Sequence, residues 1–299
     1  MKLLALISCA FFLIACSESN ESANSSAPVS AEAEQPAASA SVAEPVVEDG
    51  SWDLGFMAAV ANPYATEAAA EMLAQGGHAV DAAIAAHAVL GLVEPESSGL
   101  GGGGFMVVYE NDTGAVKFLD GRETAPSAAS ADMFMNGDRP MGYLDAWQSG
   151  KAVGVPGAIA LYKLAHDRYG SLPWPTVFEP AINLATEGFV VSGKMAGYLP
   201  NLANISRLDE NPGSAEYFYP DGQALQAGDL LRNPEYAATL RRVADEGPEA
   251  FYTGEIAEAI VAAVQAEPNP GSLTVEDIAG YQAVERDAVC GDWRDLQIC

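Results

Sequence analysis

The sequence predicts an α+β fold in which helical layers cover a sheet. Three observations carry that expectation. Residues 79–92 are nearly all Ala, Val, Ile and Leu, the composition of a buried helix whose small side chains allow close packing. Residues 105–110 and 115–120 are short, apolar and rich in β-formers, and the four residues between them have hairpin chemistry. From about residue 152 onward, helix start and stop signals follow one another with few strand signals between them.

Composition narrows the function classes. The chain has 299 residues, 49% of them apolar, enough to bury a sizeable core. It has 14 Lys and Arg against 41 Asp and Glu, a formal net charge of −27. No basic surface is available to neutralise phosphates, so nucleic acid is excluded as a partner. The same charge repels an anionic substrate at long range, so any anion site must be a local positive feature.

The first 15 residues read as a signal peptide: Lys2 supplies the positive end, and Leu3 to Ala15 is apolar but too short to span a bilayer. Leu13-Ile14-Ala15-Cys16 resembles a bacterial lipoprotein cleavage site, with Cys16 as the lipidated residue; an ordinary secretory signal with an incidental cysteine is the alternative. Ser17 after the cysteine points to the outer membrane, facing the periplasm, with the lipid chains as the anchor. Residues 16–50 are Ser, Ala, Glu and Pro with few large apolar side chains, and are expected to be a disordered tether. Such a chain spans about 30–35 Å. The folded domain is expected over 51–299.

Within it, Asn62-Pro63 marks a helix start and Gly76-Gly77 its end. The apolar helix of 79–92 follows, then the hairpin. Residues 127–150 look irregular or weakly helical, and 152–157 read as a short strand turning into a helix that ends at Gly170. Pro175 opens a helix stopping at Glu187-Gly188, and Ser192 is a cap for the next. Tyr217 to Gly222 is a turn-rich connection. Helices are expected from Asn233-Pro234 to Gly247, from Gly254 to Ala266, and from Thr274. Residues 283–290 and 293–299 read as two strands joined at Gly291-Asp292.

The stretch from Val93 to Pro126 organises the rest. Four glycines, Gly101 to Gly104, carry no Cβ, so another group can approach the backbone closely. Arg122 sits where the second hairpin strand gives way to a loop, and its planar fork of donors suits bidentate contact with a carboxylate. On residue type alone, a plain ion pair with Glu94, Glu96, Asp120 or Glu123 is the competing reading. A phosphate cradle fits poorly, because the glycines lead into a strand and lack the helix start and lysine of a P-loop.

Glu94-Pro95-Glu96-Ser97-Ser98-Gly99-Leu100-Gly101-Gly102-Gly103-Gly104-Phe105, followed at hairpin distance by Leu119-Asp120-Gly121-Arg122-Glu123-Thr124-Ala125-Pro126, resembles the γ-glutamyltransferase (γ-glutamyltranspeptidase, glutathione hydrolase) family. Ala152-Val153-Gly154-Val155-Pro156-Gly157 resembles another motif of that family, and the similarity runs from about Met57 to the last residue. The resemblance implies the N-terminal nucleophile hydrolase fold, an αββα sandwich, here incomplete and limited to the large-subunit part. It implies that Arg122 binds the α-carboxylate of a γ-glutamyl group, with Glu123 and Gly101, Gly102, Gly103 and Gly104 shaping the pocket. Glutathione or another γ-glutamyl amide would be the donor, and water or an amino acid or peptide the acceptor; no cofactor is implied.

In that family the precursor cleaves itself to expose a threonine whose hydroxyl is the nucleophile and whose amine is the base. This sequence has no Thr-Thr pair, and Thr124, Thr253 and Thr274 read as loop, turn and cap. The nucleophile and the oxyanion-stabilising groups are therefore expected in a small-subunit portion beyond Cys299, and the chain alone is expected to be inactive, with no catalytic residue of its own. Two other readings stay open: a non-catalytic ligand-binding relative, and a same-fold hydrolase of poly-γ-glutamate or acyl amides. His78, His87 and His166 are too scattered for a metal set, and His87 on its apolar helix reads as a packed core residue. A turn at Gly291-Asp292 would not bring Cys290 opposite Cys299, although an oxidising compartment permits a disulfide. Arg241-Arg242 reads as a solvated helix face.

Overall fold

The structure, a computed structural model, describes residues 55–299. The signal peptide (1–15), Cys16 and the tether (16–50) lie outside the described residues. Helix α1 (Pro63–Ala74) starts at Asn62, whose side chain accepts from the Tyr64 N–H, with proline in the first turn where no hydrogen bond is forfeited. Helix α2 (Ala79–Val93) opens in a capping box between His78 and Asp81. Strands β1 (Gly104–Glu110) and β2 (Ala115–Gly121) pair antiparallel, Gly104 opposite Gly121 and Glu110 opposite Ala115.

Residues 127–150 are more ordered than the sequence suggests. They hold a small hairpin, β3 (Met135–Asn136) with β4 (Arg139–Pro140), and a short helix, α3 (Tyr143–Trp147). The strand expected over 152–157 does not form. A 3-10 turn at Gly150–Ala152 is followed by a single bridge between Thr124 and Val155, and then α4 (Ala158–Tyr169). Pro156 has no N–H to extend the ladder.

A 3-10 turn at Trp174–Phe178 leads into α5 (Glu179–Glu187), β5 (Phe189–Val190) and α6 (Gly193–Ser206). Ser192 caps α6 by accepting from the Met195 N–H. Helix α7 (Pro212–Phe218) takes the first part of the connection that reads as turns; Asn211-Pro212 is its start signal. Strand β6 (Leu230–Leu231) pairs with β5, and α8 (Pro234–Glu246), α9 (Glu249–Tyr252), α10 (Gly254–Val264) and α11 (Val275–Ala279) complete the helical part.

The chain end differs from expectation. Strand β7 (Val284–Asp287) adds to β2, and a separate hairpin joins β8 (Gly291–Trp293) to β9 (Leu296–Ile298). Its turn falls at Arg294-Asp295, not at Gly291-Asp292. Gly291 therefore pairs with Ile298, and the flanking Cys290 and Cys299 meet in a disulfide. Gly-Asp is by residue type the stronger turn dipeptide, yet it is Arg294 that takes the left-handed conformation, at φ 56°.

The core is built around α2, against which α1, α4, α5 and the 174–178 turn all pack. Tyr162, Phe178, Phe189, Met72 and Ile84 are among its fully buried side chains. Burying each stabilises the fold by about 1.5–3 kcal/mol. The sheet, in the order β1-β2-β7, turns Leu119 and Val108 inward toward this core. Its other face carries Phe105, Val107 and Tyr109, which are 59%, 55% and 63% exposed. Among the described residues nothing covers that apolar face.

Candidate functional site

Arg122 is placed by its backbone. Its N–H donates to Asp120 Oδ1 at 3.0 Å, and its carbonyl accepts from the Tyr281 hydroxyl at 2.7 Å. Asp120 is held in turn by Arg286 Nε at 2.6 Å. The hydrogen bond from the Arg122 N–H, then Arg286, hold the Asp120 carboxyl below the usual carboxylate range. A charged Asp120 thus fixes the point where β2 ends and the arginine begins.

The glycine run is threaded against that same point. A Cβ at Gly103 would lie 2.3 Å from the Gly121 carbonyl oxygen and 3.0 Å from Arg122 Cα. Gly102 turns its carbonyl to the N–H groups of Gly157 and Ala158, at 2.9 and 3.0 Å. Gly157 also lacks room for a side chain: a Cβ there would lie 2.1 Å from the Gly121 oxygen. The loop of 99–103, the end of β2 and the start of α4 form one close-packed unit, and only residues without Cβ fit where they meet.

The Arg122 side chain is half exposed. Its Nη2 pairs with Glu123 Oε2 at 3.0 Å, its Nη1 donates to the Gly103 carbonyl at 3.4 Å, and the guanidinium carbon stands 5.9 Å from the Phe105 ring centroid. The ion pair that competes with a ligand role is therefore present, to Glu123 and not to Glu94 or Glu96. Glu94 and Glu96 instead pair with Lys194.

Arg122 and Glu123 separate two cavities. One, of about 390 Å³, is lined by Ser97, Ser98, Gly101, Gly102, Gly103 and His87 beside them. The other, of about 560 Å³, is lined by Thr124, Pro126, Met133, Phe134, Lys151 and Val153. Gly104 does not reach either wall; it opens β1 and faces Leu161. Thr124 lines the second cavity and bridges to Val155, the Thr253 hydroxyl donates to the Glu249 carbonyl, and Thr274 caps α11. Among the described residues no cluster of His, Cys, Asp or Glu is arranged to hold a metal ion, and no helix is long and apolar enough to cross a membrane.

Two wall residues escape sequence reasoning. His87 is not simply core: its Nδ1 meets the buried Tyr162 hydroxyl at 2.5 Å, and the ring borders the first cavity. Burial pushes its pKa below the ordinary histidine value, so it is neutral at pH 7. The only signal is a polar residue within an otherwise apolar helix. Lys151 gives no signal, because it lies in a segment without periodicity.

The γ-glutamyltranspeptidase family pattern matches residues 65–299. The chain belongs to the γ-glutamyltranspeptidase family. It is 37% identical over 242 residues to the glutathione hydrolase proenzyme of Escherichia coli, covering 81% of this chain and 41% of that one. The γ-glutamyltranspeptidase of Helicobacter pylori superposes with a TM-score of 0.76 at 32% identity, over 81% of this chain and 68% of that chain. The enzyme of Pseudomonas nitroreducens in complex with L-DON gives 0.73 at 34% identity, over 82% and 70%. The fold is that of the N-terminal nucleophile hydrolases, in the mixed helix and sheet form these γ-glutamyltranspeptidases share. The chain spans 34–41% of the length of the first curated relatives it matches.

Proposed function

We propose that this chain is the large-subunit part of a γ-glutamyltransferase or glutathione hydrolase. Arg122 holds the α-carboxylate of the γ-glutamyl group, trading its pair with Glu123 for a bidentate contact with the substrate. That contact fixes the γ-amide in one orientation, which is the positioning share of catalysis. The threonine comes from a small-subunit portion outside this chain. Its hydroxyl attacks the γ-carbonyl and passes its proton, through the threonine's own amine, to the substrate amine, which leaves as the C–N bond breaks. Water or the amine of an acceptor then attacks the resulting γ-glutamyl ester, takes the acyl group, and returns a proton to the threonine oxygen. The apolar face of Phe105, Val107 and Tyr109 is where the second sheet of that portion would pack. We further propose that Cys16 is lipidated and anchors the protein in the outer membrane, facing the periplasm.

The observation that carries this reading is Arg122: a half-exposed guanidinium, fixed through its own backbone, between two cavities in an acidic protein. Two measurements test it. Immunoblotting of native cells for this region should detect a species longer than 299 residues or a cleaved partner chain; a stable product ending at Cys299 would favour a non-catalytic ligand-binding protein. Residues 16–299, purified alone, should not turn over a γ-glutamyl anilide, and steady hydrolysis would contradict the assignment of the nucleophile elsewhere.

A further inference from the structure

Lys117, Lys163 and Lys194 each sit in an ion pair. Lys151, the remaining lysine of the described residues, pairs with none of the described carboxylates. It lines the cavity of about 560 Å³ whose wall also holds Arg122, Met133 and Phe134. Its backbone is not loose. The Gly150 N–H donates to the Asn269 carbonyl at 2.9 Å, and a Cβ at Gly150 would lie 1.9 Å from the Val264 oxygen. Beyond it, the Val155 N–H donates to the Thr124 carbonyl at 2.8 Å. The segment is pinned on both sides of Lys151, and the volume falls within the range of about 300–1,000 Å³ usual for small-molecule sites.

We propose that Lys151 binds a second carboxylate, the one borne by the amine half of the substrate. The site then selects γ-glutamyl amides of amino acids or peptides over γ-glutamyl amides whose amine carries no acid. This rests on the reading of Arg122 given above. A γ-glutamyl peptide is anionic at both ends, and each end must find a local cation against a net charge of −27. Arg122 serves one end. Lys151 serves the other, with Met133 and Phe134 offering apolar contact to the stem between. An ammonium on a flexible stem is a point charge without the fixed fork of a guanidinium, so it tolerates amine halves of differing length.

The test uses the native protein, isolated with any chain that accompanies it, and two probes: glutathione, and glutathione in which the glycine carboxylate is a carboxamide. Calorimetry should show glutathione bound about three- to ten-fold more tightly than the amide, the scale of one partly exposed charge contact. Lys151→Met should erase that preference and leave the affinity for the amide unchanged, while Arg122→Met should weaken both. A preference that survives Lys151→Met overturns the assignment of Lys151 and leaves Arg122 in place. Loss of neither probe on Arg122→Met overturns the γ-glutamyl reading itself, and Lys151 falls with it.

Discussion

Lys194, in the first turn of α6, forms an ion pair with Glu94, the residue that closes α2. Asn62 Nδ2 donates to the same carboxylate at 3.1 Å, and Lys194 also reaches Glu96 at 3.4 Å. Three elements distant in the chain thus fix the start of the loop that carries Ser97, Ser98 and the glycines. Burial pushes the Glu94 pKa up, but the hydrogen bonds from Lys194 and Asn62 outweigh it and hold the carboxyl below its ordinary 4.5.

A folded-state pKa below the unfolded value contributes stability that is present above pH 4.5 and lost as pH falls through the folded value. Lys194→Met removes a lowering contact, so the acid-unfolding midpoint should move to higher pH. Circular dichroism during acid titration measures it. An unmoved midpoint would show that the pair contributes nothing.

Asn62 caps α1 and donates to Glu94. Asn62→Ala should cost about 2 kcal/mol, combining a lost cap with a buried acceptor left short of a partner. Asn211 occupies the equivalent position of α7 but makes no side-chain cap bond, and Asn211→Ala should stay within about 0.5 kcal/mol. Urea unfolding of the two variants decides; equal losses would refute the distinction.

The glycines of the run are not equivalent. Gly103→Ala drives a Cβ into the Gly121 carbonyl, whereas nothing lies within 4 Å of one at Gly101. Gly103→Ala should destabilise by about 2 kcal/mol, and Gly101→Ala should be neutral within about 0.5 kcal/mol. Thermal melts compare them directly, and a tolerated Gly103→Ala would mean the contact relaxes freely.

His87 is neutral in the fold because burial lowers its pKa from 6.5. Protonation then favours the unfolded chain, so its contribution holds above pH 6.5 and fades as pH drops below it. His87→Gln should reduce the difference in urea stability between pH 7.5 and 5.5 relative to wild type, about the window in which a histidine titrates. An identical difference in both proteins would rule out His87 as the source.

The Cys290–Cys299 disulfide closes a hairpin whose turn holds Arg294. Tryptic cleavage after Arg294 should therefore leave the two flanking fragments joined until reductant is added. Mass spectrometry of the unreduced digest reads this, and free fragments would exclude the bridge.

Local signals were legible wherever chemistry is short-range. Asn62-Pro63, Ser192, Asn233-Pro234 and Thr274 are capping residues whose side chains bond their own first turns, and each helix begins where its cap stands. The hairpin of β1 and β2 is equally plain from its β-forming residues and its turn. The hairpin of β8 and β9 is not, because two turn signals lie close together and cross-strand pairing chooses the weaker one. Helix α7 is hidden because its last two residues, Tyr217 and Phe218, already belong to the turn-rich stretch of 217–222, and the motif at 152–157 yields a bridge where a strand is expected.

By itself the sequence determined the family, the mixed fold and the position of Arg122, because these are written in contiguous motifs and short-range caps. Tertiary structure decided which groups surround that arginine. Glu123 rather than Glu94 or Glu96 pairs with it, since Lys194 and Asn62 hold Glu94 elsewhere. His87 and Lys151 reach the cavity walls from an apolar helix and an aperiodic segment. Neither spacing nor propensity encodes such meetings; they follow from packing at Gly103, Gly157 and Gly150, where the absence of one carbon lets distant segments touch.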